Sequence, residues 1–210
     1  MTGPWPDKVS GVEICETTVL YRGFFELNLC KFRHRKFDGG WSARLAREVL
    51  ERGHAAGVLL YDPVPDRVVL VEQFRAPAME SPGGPWLIEI VAGMIGPGEP
   101  AAEVARREVA EETGCTVGAL EPICESLLSP GGSSERISLF CGRVDSSAAG
   151  GVHGLATEGE DIRAVAVSLG EALAEIGGRI VAAPAIICLQ WLALNRDRVR
   201  GQWLGTDGRQ

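Results

Sequence analysis

Apolar positions come in short alternating runs along the first fifty residues and in longer, more uniform runs after them. Val12–Ile14 and Val19–Tyr21 predict two short strands. Phe25, Leu27 and Leu29 alternate with Glu26 and Asn28, predicting a strand with one buried face. Lys31, Arg33, Arg35 and Lys36 follow, and Asp38-Gly39-Gly40 makes a hairpin turn before Trp41. That basic run could meet phosphate, although a solvated strand face is the commoner origin. Residues 1–11 are rich in Pro and Gly and read as loose. Residues 1–50 together read as a small antiparallel β-sheet unit.

Ala55–Tyr61 and Arg67–Gln73 are continuous apolar strands flanking the turn Asp62-Pro-Val-Pro-Asp66. Ala76–Pro85 is a Pro/Gly loop, and Trp86–Val91 is a strand that delivers the chain to Gly93. Glu121–Leu128 and Ile137–Val144 read as strands around Ser129–Arg136. Ser146–Gly159 is a long polar loop, and loops of that length are often functional. Ile162–Val167 is a strand, Gly170–Ile176 a short helix and Pro184–Asn195 a long amphipathic helix, with a disordered tail after Arg200. Mixed strands with helices on both sides predict an α/β (α+β) layered fold.

Between Gly93 and Cys115 a tight Gly/Pro loop runs into an acidic helix. Pro100 suits its first position and Gly114 the residue past its end. At about 100° per residue, Ala101, Val104 and Ala105 define an apolar face. Glu108 and Glu112 fall on that face, Glu111 lies at its edge, and Glu103, Arg106 and Arg107 point mostly to solvent. Carboxylates turned towards a core are costly unless protons or cations neutralise them. Divalent cations with hard oxygen ligands are the natural partners, and Mg²⁺ binds through a few carboxylates plus substrate phosphates. The competing reading is a solvated acidic face.

The 210 residues suit one domain of about 150 with an accessory piece. A net charge of −7 argues against a general nucleic-acid or anionic-membrane binder. No signal-peptide pattern opens the chain, and its longest apolar run, Ile180–Leu194, is too short to span a bilayer. The six cysteines have no CxxC or Cys/His ligand spacing, which predicts free thiols in a reducing cytoplasm, without zinc or disulfides. His34, His54 and His153 are scattered and read as structural or exposed.

Gly93, five residues, Glu99, seven residues, Arg107-Glu108-Val109, one residue, Glu111-Glu112, one residue, Gly114-Cys115 resembles the full Nudix box. Every fixed position matches, and Cys115 takes a final slot that is usually aliphatic. The resemblance implies the Nudix fold, a mixed sheet between helices. The chain accordingly divides into 1–50, the N-terminal β-sheet unit, 51–200, the hydrolase domain, and 201–210, a tail. The resemblance also implies hydrolysis of a nucleoside diphosphate linked to another moiety. Glu108 and Glu112 would then hold Mg²⁺ (or Mn²⁺), with the main-chain carbonyl of Ala92 as a further ligand and Glu111 acting directly or from behind. Gly93, Glu99, Arg107 and Gly114 would be structural.

A second resemblance covers roughly residues 12–195. It is carried by Tyr21–Phe25, Phe32–Arg35, Arg47-Glu48, Glu51–Ala56, Glu72-Gln-Phe-Arg75, Ser129–Gly132, Ser134–Arg136, Gly151–Ala156 and Glu160–Arg163. These segments are similar to the bacterial ADP-ribose pyrophosphatases. That resemblance implies a homodimer with exchanged N-terminal sheets, in which Phe24 of one chain and Arg47 of the other sandwich adenine. Arg75 and Glu135 would face the substrate. Glu158 would be the general base and Glu160 a further metal ligand, although Gly159 departs from the pattern between them. The implied reaction is Mg²⁺-dependent hydrolysis of ADP-ribose to AMP and ribose 5-phosphate. Its rivals are the same chemistry on another nucleotide sugar, such as GDP-mannose, and a non-catalytic Nudix-fold sensor.

Overall fold

The structure is a computed structural model that describes residues 9–205. The chain forms two compact units. The first takes the described residues up to Gly53 together with Leu127–Arg136, and the second takes His54–Ser126 with the described residues from Ile137 onwards.

The first unit is a three-stranded antiparallel sheet in the order β1-β2-β3, with β1 at Val12–Arg22, β2 at Glu26–His34 and β3 at Leu45–Glu51. Where two short strands were expected, β1 is continuous. Irregularities at Ile14/Glu16 and Val19/Tyr21 absorb the polar interruption while Glu16, Thr17 and Thr18 keep their partners on β2. The expected buried face of β2 is also inverted. Asn28 and Cys30 are buried, whereas Leu27 and Leu29 are only half-covered. The basic run forms a solvated, ion-paired face: Lys31 meets Glu16 at 2.9 Å, Arg33 meets Glu13 at 2.6 Å and Lys36 meets Asp38 at 2.6 Å. Arg33 and Arg35 also lie over the Trp41 ring.

The second unit is an eight-stranded mixed sheet built on β4 (Ala55–Asp62) and β5 (Arg67–Phe74). Every residue of β4 is buried, as its uninterrupted apolar run predicts. The two strands pair antiparallel at Leu60–Asp62 with Arg67–Val69 and then separate. The expected single strand Trp86–Val91 is in fact two, interrupted at Ile90. Of these, β6 (Trp86–Glu89) pairs with β5, and β7 (Val91–Met94) pairs with the first half of β4. On its other edge β4 runs parallel to β9 (Arg136–Arg143), beside β8 (Leu120–Leu127). The far side of β5 carries β11 (Ile162–Ser168) and the two-residue β10 (Val152–His153).

One face of this sheet packs helix α1 (Ala101–Thr113). Val104, Ala105 and Val109 join Ala56, Val58, Leu60, Val69, Val71, Val91 and Ile162 in one core. The opposite face carries α2 (Leu169–Ala174), started by a Ser168/Glu171 capping box, and α3 (Ala183–Gly205). The mixed sheet between helices is therefore present as expected. The tail is a correction. Helix α3 continues past Arg200 to Gly205 because Val199 and Trp203 are buried, with Trp203 against Tyr61 at a ring separation of 6.1 Å. Arg200 also donates to the carbonyl of Pro63 at 2.8 Å. All six cysteines are free thiols, four of them buried.

Candidate active site

Two backbone devices place the acidic helix. Gly114 closes α1 with φ of +66°, a left-handed conformation that favours glycine, and its N–H donates to Ala110. At the start, the helix begins at Ala101, so Pro100 is the extended residue before it, one position earlier than expected. Gly93 on β7 explains how the helix approaches the sheet. A Cβ there would overlap the Glu108 carboxyl group. Glu108 can lie across β7 only because that side chain is missing.

Arg107 ties the loop and helix together. It contacts Glu99 at 3.4 Å, Glu108 at 2.8 Å and Glu111 at 3.1 Å, and Glu99 in turn accepts from the N–H of Gly96 at 3.2 Å. Arg106 does not point to solvent as expected. It is half-buried and donates to the carbonyls of Val117 and Gly118, both at 3.0 Å. Cys115 is buried in the core, so its thiol serves as the small apolar group that the slot needs.

Glu112 is the least comfortable group in the site. It is 3 % exposed, and its Oε2 has no hydrogen-bond partner. Burial, then the neighbouring Glu108 and Glu160 carboxylates, push its pKa up to about 8, against a small opposing pull from Arg75 and the Ala92 backbone. Burial likewise raises the pKa of Glu108, more than Arg107 lowers it. The carboxylates of Glu108, Glu112 and Glu160 thus feel one another, and the main chain of Ala92 lies beside Glu112. Among the described residues, no three His, Cys, Asp or Glu side chains are yet drawn together tightly enough to hold a metal ion. The donor set nevertheless suits a hard cation: oxygen-only, mutually repelling, and with one buried oxygen unsatisfied.

The loop after β9 reaches this helix. The N–H of Gly154 donates to the carbonyl of Glu111 at 3.2 Å, and the Glu160 carboxylate accepts from the N–H of Leu155 at 2.9 Å. Glu158 ends a short 3₁₀ turn, Ala156–Glu158, and its side chain lies outside the described residues. Arg75 sits just past β5, with its Nε bound to Glu89 at 2.8 Å. Glu89 was missed by the sequence reading, because only the pairing of β5 with β6 brings it beside Arg75.

In the first unit, Phe24 is 91 % exposed, which excludes core packing, and it contacts Phe25 edge-on at 4.9 Å. Arg47 is exposed on β3 and bonds the carbonyl of Ala46. It lines an apolar recess of about 310 Å³ with Val9, Phe32 and Pro130–Ser133. Glu135 is buried and paired with Arg52 at 3.3 Å, an arrangement its sequence context did not reveal.

A loop-helix that buries opposed carboxylates under a glycine-bearing strand defines a class, and the chain belongs to it: the NUDIX domain model matches residues 51–182, so this is a Nudix family protein. Its relatives narrow the class. The chain is 49% identical over 193 residues to ADP-ribose pyrophosphatase of Escherichia coli (strain K12), covering 91% of this chain and 92% of that one. It is 44% identical over 196 residues to ADP-ribose pyrophosphatase of Haemophilus influenzae, covering 91% and 90%. GDP-mannose pyrophosphatase of Pectobacterium atrosepticum is 35% identical over 187 residues, covering 86% and 93%. Among solved structures, a crystal structure of an ADP compounds hydrolase shares the fold, with a TM-score of 0.67 and 18% identity over 97% of this chain and 99% of that one.

Proposed function

We propose that the protein hydrolyses the diphosphate of ADP-ribose, with a divalent cation, Mg²⁺ or Mn²⁺, as cofactor. Water adds to one phosphorus and the bridging P–O bond breaks, so ADP-ribose and H₂O become AMP and ribose 5-phosphate. The observation that carries this reading is Glu112, a carboxylate buried beside two others with an oxygen unsatisfied. A structural acid would be expected to have its partners. A metal-binding acid has a reason to lack one.

Glu108, Glu112, Glu160 and the carbonyl of Ala92 would hold the cations. When bound, they neutralise the diphosphate and acidify a water. Arg107 keeps Glu108 and Glu111 aimed, and Glu89 occupies the Nε of Arg75 so that its terminal nitrogens stay available to an anion. Glu158 would take the proton of the attacking water. Phe24 and Arg47 would bind adenine in a homodimer, the exposed Phe24 ring supplying a stacking face, and Glu135 would contact substrate. No helix among the described residues is long and apolar enough to cross a membrane; we place the enzyme in the cytoplasm.

The substrate preference rests on the relatives of higher identity being named for ADP-ribose, and those of lower identity for GDP-mannose. The test is kcat/KM on both compounds with Mg²⁺, reading AMP and ribose 5-phosphate. Preference for ADP-ribose is expected. Faster turnover of GDP-mannose would overturn the substrate, and tight binding without turnover would favour the sensor.

A further inference from the structure

A second orphaned polar group lies beside the acidic helix. Gln73, on β5, is 7 % exposed, and its Nε2 has no hydrogen-bond partner. Alternation along the strand fixes its direction. Val69 and Val71 belong to the core under α1, so Gln73, two residues on, faces the same way. The backbone stays extended at Arg75, which continues the row and lies close enough to draw down the pKa of Glu112. Across the sheet Gln73 is paired with Leu87 of β6, and on the other side β11 begins at Ile162, two residues after Glu160. Gln73 thus lies on the α1 face between the core and Arg75, in the same neighbourhood as Glu112.

The two orphans are complementary. Gln73 offers a buried donor, and Glu112 Oε2 is a buried acceptor. An unmet buried group is costly, and a state that joins the two would account for both. We infer that Gln73 is a positioning residue for Glu112: its carboxamide donates to the inner carboxylate oxygen when a divalent cation draws the other oxygen outward. The bond would hold the carboxylate in one orientation and leave a single oxygen to the cation. This inference rests on the metal-dependent reading of the site, but not on the identity of the substrate.

Gln73→Leu and Gln73→Met remove the donor while nearly keeping the volume. The measurement is Mn²⁺ affinity of the substrate-free protein by electron paramagnetic resonance, beside metal-free Tm. Both variants should bind Mn²⁺ about 10–100-fold more weakly, the range typical when the group supporting a ligand is lost. Their metal-free Tm should be equal or higher, because an unsatisfied buried amide has been removed. Unchanged Mn²⁺ affinity in the variants would overturn the role of Gln73. So would a lowered metal-free Tm in both, which would mark the amide as part of the fold. Failure of the unsubstituted protein to bind Mn²⁺ would instead sink the metal-dependent reading and this inference with it, whereas failure on ADP-ribose alone would leave Gln73 untouched.

Discussion

Two acidic residues of the same unit, Asp66 and Glu112, show opposite solutions to placing a carboxylate in a fold. Asp66 ends the turn after β4 and is fully occupied. Tyr61 Oη donates to it at 2.7 Å, and Arg196 grips both its oxygens from α3. The Arg196 hydrogen bonds, opposed by burial and helped by Tyr61, hold its pKa below the usual carboxylate range. Glu112 is more deeply buried, faces other acids and has an empty oxygen. The first arrangement fastens a turn to a helix. The second leaves a buried oxygen without a partner, and under the proposed function Glu112 is the acid that would serve the chemistry.

The largest expected effect follows from removing that second acid. Glu112→Gln should lower kcat/KM on ADP-ribose by roughly 10³-fold, the several kcal/mol that cation placement contributes. Its metal-free Tm should hold or rise, because the amide folds without the proton that the buried Glu112 must take up. A Tm drop matching the activity loss would put Glu112 in the same class as Asp66.

Next comes Gly93→Ala. A methyl group there occupies the space of the Glu108 carboxyl, so the loss should be on the order of 10²-fold in kcat, from displacing by about an ångström the carboxylate proposed to hold a cation. Steady-state kinetics checks it, and retention of full kcat would show that Glu108 can work from elsewhere.

The pH dependence separates the two acids by sign. The folded pKa of Glu112 is raised from 4.5 to about 8. Folded protein therefore holds a proton that the unfolded chain has lost, and this group's contribution to stability falls as pH rises between those values. Asp66 is the reverse. Its contribution is complete above the ordinary aspartate pKa and disappears as pH falls through its lower folded value. Metal-free Tm scans should show the advantage of Glu112→Gln over the unsubstituted protein growing as pH rises towards about 8. The deficit of Asp66→Asn should shrink in acid. Parallel curves would remove the distinction.

The smallest effect is that of Asp66→Asn itself at neutral pH. Its side chain is 24 % exposed, so solvent screens the ion pair, and the cost should be about 1 kcal/mol, with kcat unchanged. Denaturant unfolding beside kinetics checks both.

The acidic helix was legible in the sequence because its evidence is local. Spacing put Glu108 and Glu112 on the apolar face, and Gly114 announced the end. What escaped reading depends on long-range pairing. Gln73 closes an apolar run in the sequence, and only the pairing of β5 with β6 shows that it is enclosed. Arg106 lay on the outward side of the helical wheel, but its length lets it reach back to Val117 and Gly118. In β2, hydrophobicity pointed to Leu27 and Leu29, whereas burial fell on Asn28 and Cys30. Helix α3 outruns the expected Pro184–Asn195, and Arg196, Arg198 and Arg200 are not a solvated end. In fact they bind Asp66, Glu121 and the Pro63 carbonyl.

The shared use of β4 has a consequence for how such a chain can change over time. Its first half is aligned to β7 and its second to β5, so residue counts on either side are locked to one strand. A single deletion within β7 would turn Gly93 to the opposite side of the sheet and put a side chain under Glu108. The stretch Ser146–Gly159 is held only at points, by β10 against β11 and by the Gly154 N–H on the Glu111 carbonyl, so the segments between those points can vary in length. Descendants of this protein should therefore diverge first in loop length, while the spacing from β4 to the acidic helix stays fixed.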